Sequence, residues 1–200
     1  MKVIIFLLTT LFLTFGCKQK EVKLPFLGNT EVRGDEIIYP KIKDFSFINQ
    51  DSTVVTNKTF DGKIYIADFI FLSCPTICPI MHVQLKTVYN KFYDNPNVLF
   101  LSHTIDPERD TVKELKSFTD LQDIDKGWHF VTGNRDSIMK IATESYFTTA
   151  YPDSNEPGGF VHSGGFLLID KNRHVRGVYD GTDSNETKRL IGDIDILLNE

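Results

Sequence analysis

Two nearly continuous apolar runs flank a segment with helical spacing, and that order constrains the fold more than any other feature. Residues 63–72 are apolar and rich in β-branched and aromatic side chains, as expected of a strand covered on both faces. Ile80, Val83, Leu85, Val88, Tyr89 and Phe92 then recur at helical spacing. Residues 97–105 are a second buried strand. A strand, a helix and a strand in that order predict a parallel pair joined by a right-handed crossover.

The pattern continues with local stop and start signals. Thr111 and Glu114 fit a capping box that opens a helix to about Thr119. Trp128 to Thr132 is a short strand, and Asn134 caps a helix carrying Ile138, Met139, Ile141 and Ala142. Gly165–Asp170 and His174–Tyr179 form a hairpin around Lys171-Asn172, and Asp183 to Glu186 caps a last helix to Leu198. Near the front, Asp44–Ile48 and Thr53–Val55 read as another hairpin. Phe45, Phe47, Phe69 and Phe71 alternate as core residues do. The fold class predicted is α/β, a thioredoxin-like three-layer α/β/α sandwich with an extra N-terminal β-hairpin. Tyr146 to Val161, with Pro152, Pro157, Gly158 and Gly159, reads as one long loop, of the kind that is usually functional or mobile.

The chain of 200 residues, 41% hydrophobic and 24% charged, is long enough for one domain with a substantial core. Its net charge of −5 and the lack of a Lys/Arg-rich block argue against a nucleic-acid partner. Residues 1–16 read as a signal peptide: Lys2, then an apolar stretch too short to span a bilayer comfortably. Gly16-Cys17 followed by Lys18-Gln19-Lys20-Glu21 resembles a bacterial lipoprotein signal, although Thr14 and Phe15 depart from its commonest form. The domain organisation expected is therefore a signal peptide over 1–16, a tether over 17–39 lipid-anchored through Cys17, and a folded domain over 40–200. A short edge strand at Glu36–Tyr39 fits within the tether. The domain then lies outside the cytosol, on the periplasmic side of a cell membrane, where disulfides persist.

Cys74 and Cys78 stand between the first buried strand and the helix, in Ser73-Cys74-Pro75-Thr76-Ile77-Cys78-Pro79. Pro79 has no N–H and fits the first helical turn, which places Cys78 near the N-cap. Both sulfurs then crowd the positive end of a helix dipole, which favours thiolate. Thiolates serve disulfide exchange and metal binding alike. Thioredoxin-like redox enzymes place two residues between their cysteines, and this chain has Pro75, Thr76 and Ile77. A structural disulfide is the plainer alternative.

His162 precedes the strand at Gly165–Asp170, at the position where redox thioredoxins place a cis-proline. Two thiolates and an imidazole suit Cu(I), Cu(II) or Zn(II) by softness. A lone histidine before a strand is otherwise a surface or hydrogen-bonded residue. Asp106 ends the neighbouring strand on the same side of the sheet as the cysteines. It is a candidate weak ligand, an acceptor behind a ligand, a docking charge for a partner, or simply part of the Asp106-Pro107 turn. Asp110 reads as a helix-start residue. His82, His103, His129 and His174 take structural readings, and Met81 and Met139 fit helix packing.

Cys74-Pro75-Thr76-Ile77-Cys78-Pro79, His103-Thr104-Ile105-Asp106-Pro107-Glu108-Arg109-Asp110-Thr111 and His162 before a strand, in this order, resemble the Sco/SenC family of membrane-tethered copper chaperones. The resemblance spans roughly Lys41 to Asn199. It implies a thioredoxin-like fold and copper held by Cys74, Cys78 and His162. It also implies delivery to the binuclear copper site of cytochrome c oxidase subunit II, or reduction of its cysteines, and exchange with another copper chaperone. Val161 stands where some members carry an acidic residue. The competing reading is an extracytoplasmic thiol–disulfide oxidoreductase, with Cys74 attacking and Cys78 resolving. A peroxide-reducing site is disfavoured, because Phe71-Leu72-Ser73 replaces the Thr/Ser-x-x-Cys turn.

Overall fold

The computed structural model describes residues 23–156 and 158–200, and at His162 the backbone. The signal segment and Cys17 lie outside the described residues. The chain runs through β1 (Glu31–Arg33), β2 (Glu36–Ile38), β3 (Ser46–Asn49), β4 (Val54–Thr56), β5 (Ile64–Ile70), α1 (Cys78–Phe92), β6 (Val98–Thr104) and α2 (Val112–Leu121). It continues through β7 (Trp128–Thr132), α3 (Arg135–Glu144), β8 (Ala150–Pro152), β9 (Phe160–His162), β10 (Gly165–Ile169), β11 (Val175–Asp180) and α4 (Ser184–Asn199).

Seven strands form the central sheet in the order β11-β10-β5-β6-β7-β3-β4. The β5-β6-β7 core is parallel, as the alternation of strands and helices requires, and the hairpins β10-β11 and β3-β4 add antiparallel strands on either side. Register pairs Asp68 with Ser102 and Phe69 with His103, so successive β5 residues face opposite layers. On one face Phe100, Trp128 and Phe130 meet Tyr89 and His82 of α1 and Phe118 of α2. Helix α4 lies beside α1 on this side, where Thr187 donates to Gln84 at 2.9 Å. On the other face Phe69 and His103 pack against Phe45, Phe47 and Tyr146, the last just beyond α3. This is the three-layer sandwich, with the extra hairpin in place.

Side-chain caps set three helix starts. Thr111 accepts from the Glu114 N–H, Asn134 from Ser137 and Asp183 from Asn185. Helix α1 has no side-chain cap; Ile77 is its N-cap, Cys78 its first residue and Pro79 its second. Proline is one place further in than expected, which costs nothing because first-turn N–H groups have no intrahelical acceptor. The segment read as one long loop contains the hairpin β8–β9, paired Ala150–His162, Tyr151–Val161 and Pro152–Phe160. Three-residue strands broken by Pro and Gly are too short to show a period.

Within the stretch read as tether, Leu24 to Leu27 and Tyr39 lie against the sandwich, while β1 and most of β2 are exposed. Leu27 N–H donates to Val175 O at 2.9 Å, and the Phe26 and Tyr39 rings stack at 4.3 Å. The edge strand at Glu36 has a partner, β1, forming a separate two-stranded sheet. No helix among the described residues is long and apolar enough to cross a membrane.

Candidate metal and thiol site

Strand β5 delivers the chain to the cysteine loop at the C-terminal edge of the parallel strands. Leu72 N–H donates to Asp110 Oδ2 at 3.0 Å, and Thr104 Oγ1 donates to the same oxygen at 2.5 Å. Asp110 is buried, and Thr111, one residue on, caps α2. The helix-start reading of Asp110 is therefore corrected: it clasps the approach to Cys74 across the sheet. Cys74 N–H then donates to Phe71 O at 3.2 Å.

Cys74 and Cys78 are both thiols and both buried, at 7% and 9% exposure. Their acidities diverge. Burial pushes Cys74 up, but hydrogen bonds from the backbone N–H groups of Cys78 and Thr76, the Thr76 hydroxyl and the Cys78 thiol outweigh it, leaving the thiol more acidic than usual. Burial pushes Cys78 far above the ordinary value, reinforced by the neighbouring Cys74 sulfur and the Asp68 carboxyl. Cys74 is thus the more acidic thiol of the pair.

Both cysteines open onto a cavity of about 300 Å³ between the sheet and helices α1 and α2. His82 lines it, against the bland reading of that residue. Its Nε2 lies 3.1 Å from Gln122 Oε1, and its ring stacks on Trp128. The other histidines keep structural roles: His103 is core, His129 Nδ1 meets Asn49 Nδ2 at 3.2 Å, and His174 Nδ1 meets Pro40 O at 2.9 Å. Met81 is fully buried and Met139 packs on the core.

Asp68 also lines the cavity, and nothing in the sequence reading singled it out. Ser102 Oγ donates to Asp68 Oδ1 at 2.5 Å, and Trp128 Nε1 donates to Ser102 Oγ at 2.9 Å. Burial, opposed by the Ser102 bond, pushes the Asp68 carboxyl up to about 7. Its signal in sequence was a lone carboxylate inside an otherwise apolar strand. The unfolded chain gives up this proton near pH 3.8, the ordinary value for an aspartate, before the folded state does. Stability therefore falls as pH rises from about 4 to 7 and stays low above that. Asp68→Asn is expected to raise stability at pH 8 by roughly 3 kcal/mol and to change it little at pH 4. Urea unfolding at the two pH values checks this; equal effects at both would show that Asp68 is not the titrating group.

Glycines on either side of His162 approach the cysteine loop closely. A Cβ at Gly158 (φ +86°) would stand 2.5 Å from the Phe71 ring and 3.4 Å from Pro75. A Cβ at Gly164 would stand 3.3 Å from Ile77. The fold so brings the ends of the β9 segment, and the Phe160 ring within it, against Phe71, Pro75 and Ile77 around the cysteines. Asp106 is buried, paired with Arg109 through Nε and with Arg135 at 3.7 Å. Among the described residues, no three Cys, His, Asp or Glu side chains converge as an ion site.

A parallel-cored sandwich with two cysteines at a strand-to-helix turn defines a thioredoxin-like protein with a thiol site. The sequence model of the SCO1/SenC family matches residues 38–199, and the chain belongs to that family. It is similar to a SCO1/SenC family lipoprotein from Bacillus anthracis, at 28% identity, 79% coverage of this chain, 95% of that one and a TM-score of 0.71. It is also similar to BsSco, in which a disulfide switch has been identified and which is a member of the Sco family of cytochrome c oxidase assembly proteins, at 28% identity, TM-score 0.70 and coverages of 79% and 93%. Arabidopsis thaliana ScoI, solved with copper bound, matches at 25% identity, TM-score 0.64 and coverages of 76% and 97%.

Proposed function

We propose that this protein is a copper chaperone, held on the extracytoplasmic face of a membrane by lipid on Cys17. Cys74, Cys78 and His162 bind copper as cargo and pass it to the binuclear copper site of cytochrome c oxidase subunit II, having received it from another copper chaperone. One observation carries the reading. Two thiols of unequal acidity share the first turn of α1 and the loop before it, and Gly158 and Gly164, on either side of His162, approach Phe71, Pro75 and Ile77 of that loop. Two sulfurs hold Cu(I) by softness, and an added imidazole suits Cu(II). Because thiols must lose protons to bind, loading is favoured by the acidic Cys74.

The same acidity difference supports a second reading as a thiol–disulfide oxidoreductase. The Cys74 thiolate attacks a partner disulfide and forms a mixed disulfide, and the departing partner sulfur takes up a proton. Cys78 then gives up its proton and displaces the second partner thiol. The Cys74–Cys78 pair is oxidised by two electrons and the partner reduced.

Titration of the reduced protein with Cu(I) and Cu(II) separates the readings. Cys74→Ser and Cys78→Ser are expected to lose both ions, and His162→Ala to lose chiefly Cu(II), with a changed charge-transfer spectrum. An unchanged Cu(II) affinity and spectrum in His162→Ala would remove the three-ligand site. Rapid metal-free reduction of a disulfide in a subunit II peptide, with the mixed disulfide trapped in Cys78→Ser, would favour the redox role.

A further inference from the structure

Phe160, two residues before His162 on β9, is buried between two arginines and the cysteine loop. Its ring centroid lies 6.0 Å from the Arg109 guanidinium carbon and 5.8 Å from that of Arg135, and 5.4 Å from the Phe71 ring. Arg109 gives Nε to the Asp106 carboxylate and Nη2 to Gly158 O at 3.0 Å. Asp106 is itself fixed, its N–H on Thr104 Oγ1 at 3.0 Å and its carbonyl accepting from Asp110 N–H at 2.9 Å. Asp110 in turn holds Leu72. The connection from the turn of the hairpin to the approach of Cys74 is therefore continuous: Gly158, Arg109, Asp106, Asp110, Leu72. A second connection runs from Phe160 through Phe71 to Cys74 N–H.

A hairpin of three-residue strands is marginal by itself, and Gly158 and Gly159 add backbone freedom at its turn. Something outside the hairpin must hold it. We propose that Arg109 and Phe160 are positioning residues, latching the β8–β9 hairpin to the cysteine loop and so holding His162 where it completes the copper site. The inference rests on the three-ligand reading above. It gives Asp106 the task of anchoring Arg109 rather than meeting the metal. Cu(II), which gains most from the imidazole, depends on the latch; Cu(I) on two thiolates does not.

The test compares Arg109→Ala, Phe160→Ala and His162→Ala in the full chain, by amide hydrogen exchange across β8 and β9 and by separate Cu(I) and Cu(II) titrations. The first two variants are expected to exchange faster in the hairpin and to bind Cu(II) about 10–100-fold more weakly, the range for losing support behind a metal ligand, while retaining Cu(I). Wild-type exchange in both would overturn the latch. Faster exchange with wild-type Cu(II) affinity, where His162→Ala weakens Cu(II), would overturn the positioning role. If His162→Ala itself binds Cu(II) normally, the three-ligand reading fails, and exchange alone decides the latch.

Discussion

Replacing Arg176 with methionine is expected to cost about 3–5 kcal/mol of folding stability, the range for breaking a buried ion pair from one side. The guanidinium is 4% exposed and pairs with Asp170 at 3.1 Å and Glu200 at 2.9 Å. It also donates to Leu24 O at 2.7 Å and Pro25 O at 3.1 Å, and lies 4.2 Å from the Phe26 ring centroid. Asp170 is buried and shapes the β10–β11 turn by accepting from the N–H groups of Asn172 and His174, each at 2.9 Å. Methionine keeps most of the volume but strands the Asp170 carboxylate and frees two carbonyls of the N-terminal segment. Urea unfolding measures the loss, and limited proteolysis within residues 24–39 reports release of that segment. A stability change under about 1 kcal/mol would place the pair in the weak class of exposed ion pairs.

His103→Leu is expected to do the opposite, most strongly in acid. His103 is fully buried, stacked on Phe69 at 4.9 Å and edged by Phe45, Phe47 and Tyr146. Neither ring nitrogen has a hydrogen-bond partner among the described residues. Burial pushes its pKa down to about 3, so the folded protein keeps it neutral while the unfolded chain takes up a proton below 6.5. The unfolded state thus binds the extra proton, and stability falls as pH drops from 6.5 toward 3. From pH 6.5 to 4 this amounts to about 3 kcal/mol. Leucine removes that slope and two unsatisfied nitrogens, the latter worth about 1–3 kcal/mol each in desolvation, against some lost ring stacking. The variant is expected to exceed its parent in stability at pH 4 by several kcal/mol and at pH 8 by less. A parallel pH dependence in parent and variant would show that His103 is not protonated on unfolding as argued. Asp68 tilts the curve the other way over nearly the same interval, so each residue is read from a difference between variant and parent.

Much of the fold was legible because its signals are local. The β5-α1-β6 order, the caps at Thr111, Asn134 and Asp183, and the hairpin around Lys171-Asn172 all depend on neighbours within a few residues. The cysteines were legible for the same reason, since Pro79 and the apolar run before them mark a strand-to-helix turn. The surroundings of the site were not. Asp68 meets Ser102 across 34 residues, and Leu72 meets Asp110 across 38. Both contacts exist only once β5 and β6 are in register. His82 looked like an ordinary helix residue until α2 and Trp128 closed the cavity around it. The β8–β9 hairpin is too short to carry a period, and its place comes from Phe71, Arg109 and Gly158.

The sequence by itself determined the parallel core, the starts of α2, α3 and α4 and the pairing of two thiols at a helix N-terminus, because period and capping are properties of contiguous residues. Only the tertiary structure decided which thiol is acidic, which carboxyl lies buried beside them and what braces the β9 backbone against their loop. Those depend on burial and on hydrogen bonds between segments far apart in the chain, which exist only after the sheet has assembled.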